Sequence, residues 1–304
     1  MKITVVGSSN TDMVVKVRRL PKPGETIIGH TFFTAAGGKG ANQAVAAAKA
    51  GGEVSFIAKV GNDAFGEQAI QGFAKVGIDT RHVSIDPDRP SGVAQIMVDD
   101  AGENCIVVAP GANMSLLPAD IDVCWETITN ADIVLMQLES PIETISYLLS
   151  RAKETETKYI LNPAPAMPLS KELLASLYLI TPNETEAALL TGLEVETDQQ
   201  VEAAGIKLLD QGVENVIITR GAHGATLVDQ RGYHHIGSFS VAAVDTTAAG
   251  DVFNGALCVA IAAGERLPEA CRFANAAAAL SVTKDGAQPS APSRPEILHL
   301  LQQQ

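Results

Sequence analysis

Six short apolar runs recur along the chain: "ITVVGS", "VSFIAKVG", "DIVLMQLE", "KYILNP", "LYLITPN" and "NVIITRG". Each is nearly uninterrupted, as a strand covered on both faces must be. Between them lie segments of helical periodicity, including "GEQAIQGFAKVG", "IETISYLLSRAKE" and "QQVEAAGIKLLDQG". Parallel strands need a crossover, and a helix is the usual one. The alternation therefore predicts an α/β fold, with a parallel sheet flanked by helices on both faces. In such sheets ligands bind beyond the carboxyl ends of the strands. Polar residues stand at those ends: Ser8 to Asp12, Glu139, Asn162, Asn183 and Thr219.

Two segments depart from this rhythm. Residues 12–34 and 91–108 alternate apolar with polar and turn at Pro-Gly and at Asp-Asp-Ala-Gly-Glu. They predict antiparallel hairpins that form a small β-sheet, either a lid or an ordinary edge. No linker or internal repeat interrupts the rest, so one domain over 1–304 is expected.

The net charge of −13 lacks the basic face that a nucleic-acid partner requires, and it fits a protein with no membrane surface partner. "GALCVAIAAG" is too short to span a bilayer, and "MKITVVGSSN" turns polar too soon for a signal peptide. Cys105, Cys124, Cys258 and Cys271 form no CxxC pair and read as buried, reduced thiols, so a cytoplasmic location is expected. His234 and His235 are adjacent, which on a strand sends them to opposite faces and argues against a shared metal.

Four stretches carry possible chemistry. "AAGGKGANQAVAAAKAG" sets Gly37, Gly38 and Gly40 before an alanine-rich helix, which suits a structural turn or a close backbone approach to a ligand. It is not a nucleotide P-loop, because Gly40 follows Lys39 where a hydroxyl is needed. "TPNETEA" places Asn183 and Glu186 at capping-box spacing, or as groups that organise Mg²⁺ and its waters. "TRGAHG" suits a hairpin turn or a nucleotide-facing loop. "DTTAAGDVFNGAL" opens a helix with small residues and then an aspartate. Asp251 is either an N-terminal cap or a base beside an anion site formed by the amides of Ala248, Ala249 and Gly250.

As a set, in order from about residue 3 to about residue 295, these stretches resemble the PfkB-type, ribokinase-like carbohydrate kinases. "GGKGANQAVAAAKAG" and "DTTAAGDVFNGAL" are similar to that family's two signatures, and "SSNTD", "MQLESP", "LNPAPA", "TPNETEA", "TRGAHG" and "TKDGAQPS" fall between and around them. The resemblance implies ATP-dependent phosphorylation of D-ribose at its 5-hydroxyl. Asp251 would be the base, and Ala248, Ala249 and Gly250 the anion hole. Asn10, Asp12, Gly38, Lys39, Gly40, Ala41, Asn42 and Glu139 would join Asp251 in holding the sugar. Asn183, Thr219, Arg220, Gly221, Ala222, His223, Gly224, Gly250, Asp251 and Asn275 would line the ATP site. Glu186 would support Mg²⁺ through water. Asp245, Thr247, Ser281, Lys284, Gly286 and Ser290 would surround K⁺, several through carbonyls; the Lys284 ammonium itself would repel the ion. The lid would join two subunits as a homodimer. A sibling kinase acting on deoxyribose, a nucleoside or a fructose phosphate, and a sugar-binding regulator without catalysis, are the alternatives.

Overall fold

The computed structural model describes residues 1–303. Its strands are β1 (Lys2–Val6), β2 (Asn10–Lys16), β3 (Thr31–Gly37), β4 (Glu53–Gly61), β5 (Val83–Asp86), β6 (Gly92–Val98), β7 (Asn104–Ala109), β8 (Ile133–Met136), β9 (Lys158–Leu161), β10 (Leu179–Ile180), β11 (Asn215–Thr219), β12 (Ala225–Asp229) and β13 (Gly232–Ile236). The main sheet runs β13-β12-β11-β10-β9-β8-β1-β4-β5. Every pairing from β11 to β5 is parallel, and β12 and β13 add an antiparallel edge. All six apolar runs named above are strands of the parallel part, as the alternation predicts.

Both faces of the sheet are covered. One face packs against helices Lys39–Lys49, Ala249–Ala262 and Leu267–Ser281, in which alanines such as Ala44, Ala47, Ala256, Ala274 and Ala277 are buried. Small side chains let these helices approach closely: a Cβ on Gly255 would stand 2.6 Å from the Gln43 carbonyl oxygen. That contact fixes the first helix against the second, and both begin at the same end of the sheet. The other face is built from larger aliphatics, including Ile121, Ile145, Leu148, Val201 and Leu208. Burying such a side chain typically stabilises a fold by about 1.5–3 kcal/mol.

The second sheet has the order β3-β2-β6-β7. β2 pairs antiparallel with β3 and β6 with β7, so each expected hairpin is present. β2 and β6 join the hairpins side by side in parallel. This sheet projects from the core: β7 is exposed along its whole length, and Phe32 and Val107 are 62% and 63% exposed. Cys105 lies on β7 and is exposed, unlike the buried Cys124, Cys258 and Cys271; the expectation of four buried thiols fails there because a projecting edge strand has nothing to cover it. Among the described residues no helix is long and apolar enough to cross a membrane.

Candidate active site

The carboxyl end of β1 runs through Gly7–Ser9 directly into β2. Asn10 therefore sits where core and small sheet meet. Its Oδ1 accepts from Asn113 Nδ2 (2.7 Å), while Asn113 Oδ1 accepts from the Ser9 amide (2.9 Å). Asp12, two residues along β2, lies against Gly37, where a Cβ would stand 2.4 Å from both carboxylate oxygens. Gly38 caps the Lys39–Lys49 helix at φ 89°, a left-handed conformation open to glycine. Gly40 brings that helix onto β1: a Cβ there would be 2.5 Å from the Ser8 nitrogen. Glu139 sits on the helix start, its Oε2 accepting from Ser8 Oγ (2.5 Å) and from the Lys39 amide (2.9 Å). A carboxylate there meets the positive end of the helix dipole.

Asp251 is 6% exposed, and each of its oxygens is met by an amide of that same helix. Asn42 Nδ2 donates to Oδ2 (3.0 Å), and Gln43 Nε2 donates to Oδ1 (2.9 Å). Burial raises the Asp251 pKa; Lys39, Asn42 and Gln43 work against that rise, and Glu139 adds to it. Asp12 is pushed up to about 6, chiefly by burial, with Glu139 and Asp251 as nearby like charges. Asn42 Oδ1 is buried without a partner in the chain. An orphaned acceptor beside three carboxylates suits a ligand rich in hydroxyl donors.

On the far side of Asp251 the Ala249–Ala262 helix begins. Its cap, Ala248, has φ 60° and is the only non-glycine residue with positive φ among those described. The amides of Ala248, Gly250 and Asp251 have no partner in the chain among the described residues, whereas that of Ala249 donates to the Thr246 carbonyl at 3.2 Å. The expected trio of free amides thus shifts: the turn that sets Ala248 engages Ala249, and Asp251 supplies a free amide in its place.

Beside them lies a cavity of about 480 Å³, within the range of small-molecule sites, which Gly250 lines and Ala248 and Asp251 do not. Thr219, Gly221, Ala222, Gly224, Gly250 and Asn275 line it. Arg220 and His223 are not among the lining residues. Arg220 instead pairs with Glu184 (3.1 Å) and Asp198 (2.6 Å); it and His223 stand three apart across a 3-10 turn, on the side away from the cavity. Asn183 and Glu186 form the capping box: Asn183 Oδ1 accepts from the Glu186 amide (2.8 Å) and Glu186 Oε2 from the Asn183 amide (2.9 Å). Asn183 lies outside the cavity lining for that reason. Burial raises the Glu186 pKa, the Asn183 amide and Lys39 work against that rise, and Asp251 adds to it; Oε1 has no hydrogen-bond partner among the described residues. Asn275 Nδ2 donates to the carbonyls of Ile236 and Gly237 (3.0 and 3.1 Å), holding the cavity wall.

Behind the Ala248 turn two loops are tied together. Asp245 accepts from the amides of Thr247 (2.9 Å) and Gly286 (2.8 Å). The carbonyls of Asp245, Thr247, Lys284 and Gly286 accept no hydrogen bond within the described residues. The Lys284 ammonium turns away to Glu296 (3.0 Å). Ser281 and Ser290 are buried and donate into their own turns. Unused carbonyls near a carboxylate are a donor set that suits a hard cation.

A family model described as pfkB family carbohydrate kinase matches residues 1–294. The chain belongs to the pfkB family of carbohydrate kinases. The kinase is 45% identical over 300 residues to the ribokinase of Haemophilus influenzae, covering 99% of this chain and 98% of that protein. It is 38% identical over 294 residues to the deoxyribokinase of Salmonella typhimurium, covering 96% of each. The structure of Arabidopsis thaliana ribokinase complexed with ribose and ATP superposes with a TM-score of 0.93 at 38% identity, covering 98% of each chain. The kinase is accordingly an ATP-dependent sugar phosphotransferase.

Several residues of the kinase's site had no sequence signal. Asn113 lies beyond β7 and meets Asn10 from 103 positions away. Phe239, Val241, Phe253 and Val282 give the cavity apolar walls from a loop and two helices. Gln43 could be found only by placing "GGKGANQ" on a helix whose inward side faces Asp251.

Proposed function

We propose that this kinase transfers the γ-phosphoryl group of ATP to the 5-hydroxyl of D-ribose, with Asp251 as general base. The observation that carries the reading is the Asp251 carboxylate, buried between a polar pocket and a cavity at a helix start. The polar pocket holds Asn10, Asp12, Asn42 and Glu139, which suits several hydroxyls at once. The cavity, with its apolar walls and free amides, suits a nucleotide and the charge of its phosphates. Phosphoryl transfer depends on in-line positioning and charge stabilisation. Asp251 takes the hydroxyl proton as the oxygen attacks, and the free amides of Ala248, Gly250 and Asp251 stabilise the transferring group.

Glu186, through its free oxygen, fits a role in holding the waters of Mg²⁺, whose contribution is to neutralise phosphate charge. The carbonyls of Asp245, Thr247, Lys284 and Gly286, with Ser281 and Ser290 beside them, fit K⁺, which would steady the loop that forms Ala248. The four free thiols fit a reducing, cytoplasmic setting.

One assay series tests the substrate and the cation. Paired kcat/KM values for ribose and 2-deoxyribose, at saturating ATP in K⁺, should favour ribose. Loss of the 2-hydroxyl leaves a buried polar group unpaired, at a cost of about 1–3 kcal/mol. The likeness to a deoxyribokinase makes deoxyribose the competing substrate. Equal values, or a preference for deoxyribose, would transfer the assignment to it. Replacing K⁺ by Na⁺ or Li⁺ at equal ionic strength should slow turnover; equal rates in all three would remove the cation from this account.

The small sheet serves as a lid, and a second copy of the chain is its proposed cover. Phe32 and Val107 on the sheet, and Ile28 in the loop between β2 and β3, are 62%, 63% and 93% exposed, apolar surface of the kind that marks an interaction site when it is contiguous. Sedimentation should find a dimer that Val107→Asp weakens. A wild-type chain that stays monomeric across the accessible concentration range would rule this out.

A further inference from the structure

We propose that Gln43 is a positioning residue that fixes the orientation of the Asp251 carboxylate for attack. The proposal rests on Asp251 being the base. Gln43 is fully buried, yet its side chain makes no use of the apolar core around it. Nε2 donates to Asp251 Oδ1 (2.9 Å) and to Asn162 Oδ1 (3.0 Å), and Oε1 accepts from Gln137 Nε2 (2.6 Å). These partners allow one orientation of the amide. Turned over, its oxygen would face two acceptor oxygens and its nitrogen a donor.

The network continues from there. Asn162 Nδ2 donates to the Thr181 carbonyl (3.2 Å), Thr181 Oγ1 to Asn254 Oδ1 (2.6 Å), and Asn254 Nδ2 to the Gly250 carbonyl (2.8 Å). It thus leaves Asp251 through Gln43, crosses β9 and the end of β10, and returns to the residue before Asp251. A carboxylate turns easily about its last bond, because that torsion is broad. Asn42 on one oxygen and Gln43 on the other remove the freedom. Of the two, Asn42 also has an unpartnered oxygen turned to the substrate pocket, whereas every polar atom of Gln43 is used inside the protein. Of Gln43's direct partners, Asp251 is the one with a role in the transfer. The other charges facing Asp251 are Lys39, Glu139, Asp12 and Glu186, none of which bonds to either of its oxygens.

The test uses Gln43→Met and Gln43→Glu in the full-length enzyme. Gln43→Met removes both donors at similar volume. It should lower kcat on the order of 10- to 100-fold, the scale expected when a reacting group loses its alignment. KM for ribose should stay near the wild-type value. Loss of a donor to the charged form raises the base's pKa, so the acid limb of the pH–kcat profile should move to higher pH. The carboxyl introduced by Gln43→Glu donates to Asp251 only when protonated, so that variant's rate relative to wild type should be greatest at low pH and fall as pH rises. A folded Gln43→Met enzyme with near-wild-type kcat, or one slowed with an unmoved pH profile, would overturn the proposal. If Gln43→Met does not fold, a pH-independent ratio for Gln43→Glu overturns it instead. An active Asp251→Asn enzyme would remove the base reading and this proposal together. An inactive one beside unaffected Gln43 variants would remove this proposal alone.

Discussion

Asp251→Asn should lose turnover on the order of 10² to 10⁴-fold while still binding sugar and nucleotide, as titration calorimetry would show. The amide has the carboxylate's shape but cannot take a proton. Its fit is also poorer than the shape suggests. Asn42 and Gln43 both present N–H groups, so an asparagine must turn its own NH₂ toward one of them. The same variant probes stability with opposite sign. Burial raises the Asp251 pKa, so its ionised form costs stability at neutral pH, and a neutral amide removes that cost. An enzyme that melts no lower than wild type, binds both ligands and does not turn over is the expected result. Turnover within tenfold of wild type would remove Asp251 as the base and leave it a structural partner of Asn42 and Gln43.

Gly250→Val should separate activity from folding. A Cβ built on Gly250 meets nothing within 4 Å, and the residue is exposed at the cavity wall. Its φ is not positive, so glycine is not required there by the backbone. A valine side chain would instead occupy space that the proposed phosphates need, beside the free amides. Turnover should fall on the order of 10²-fold, while the melting temperature shifts by no more than about 2–4 °C. Steady-state kinetics with varied ATP and a thermal melt decide it. Intact activity with a large loss of stability would mean that Gly250 serves packing.

The parallel sheet was legible because its strands are covered on both faces and therefore carry few polar positions to confuse the period. The alanine-rich helices were legible through glycines such as Gly40, whose spacing marks a close approach. Pairings over long separations were not legible. Nothing in the sequence says that Asn113 reaches Asn10, or that Gln43, Asn162 and Asn254 form one network, since each is an ordinary polar residue until the chain folds. Arg220 shows the limit from the other side. A turn motif places its backbone by the cavity but does not reveal that its guanidinium leaves toward Glu184 and Asp198. Ala249 is similar: its small size suggested a free amide, and one turn bond to Thr246 decides otherwise.

The short passage from β1 into β2 makes the root of the projecting sheet a fulcrum. Asn10 and Asp12 stand at that fulcrum, while Phe32 and Cys105 stand toward the tip of the lever. A tilt that sweeps the tip through many ångströms moves points near the pivot very little. The sugar contacts proposed for Asn10 and Asp12 would therefore keep their geometry across a range of sheet angles, and the shielding of the cleft would change without that grip being remade.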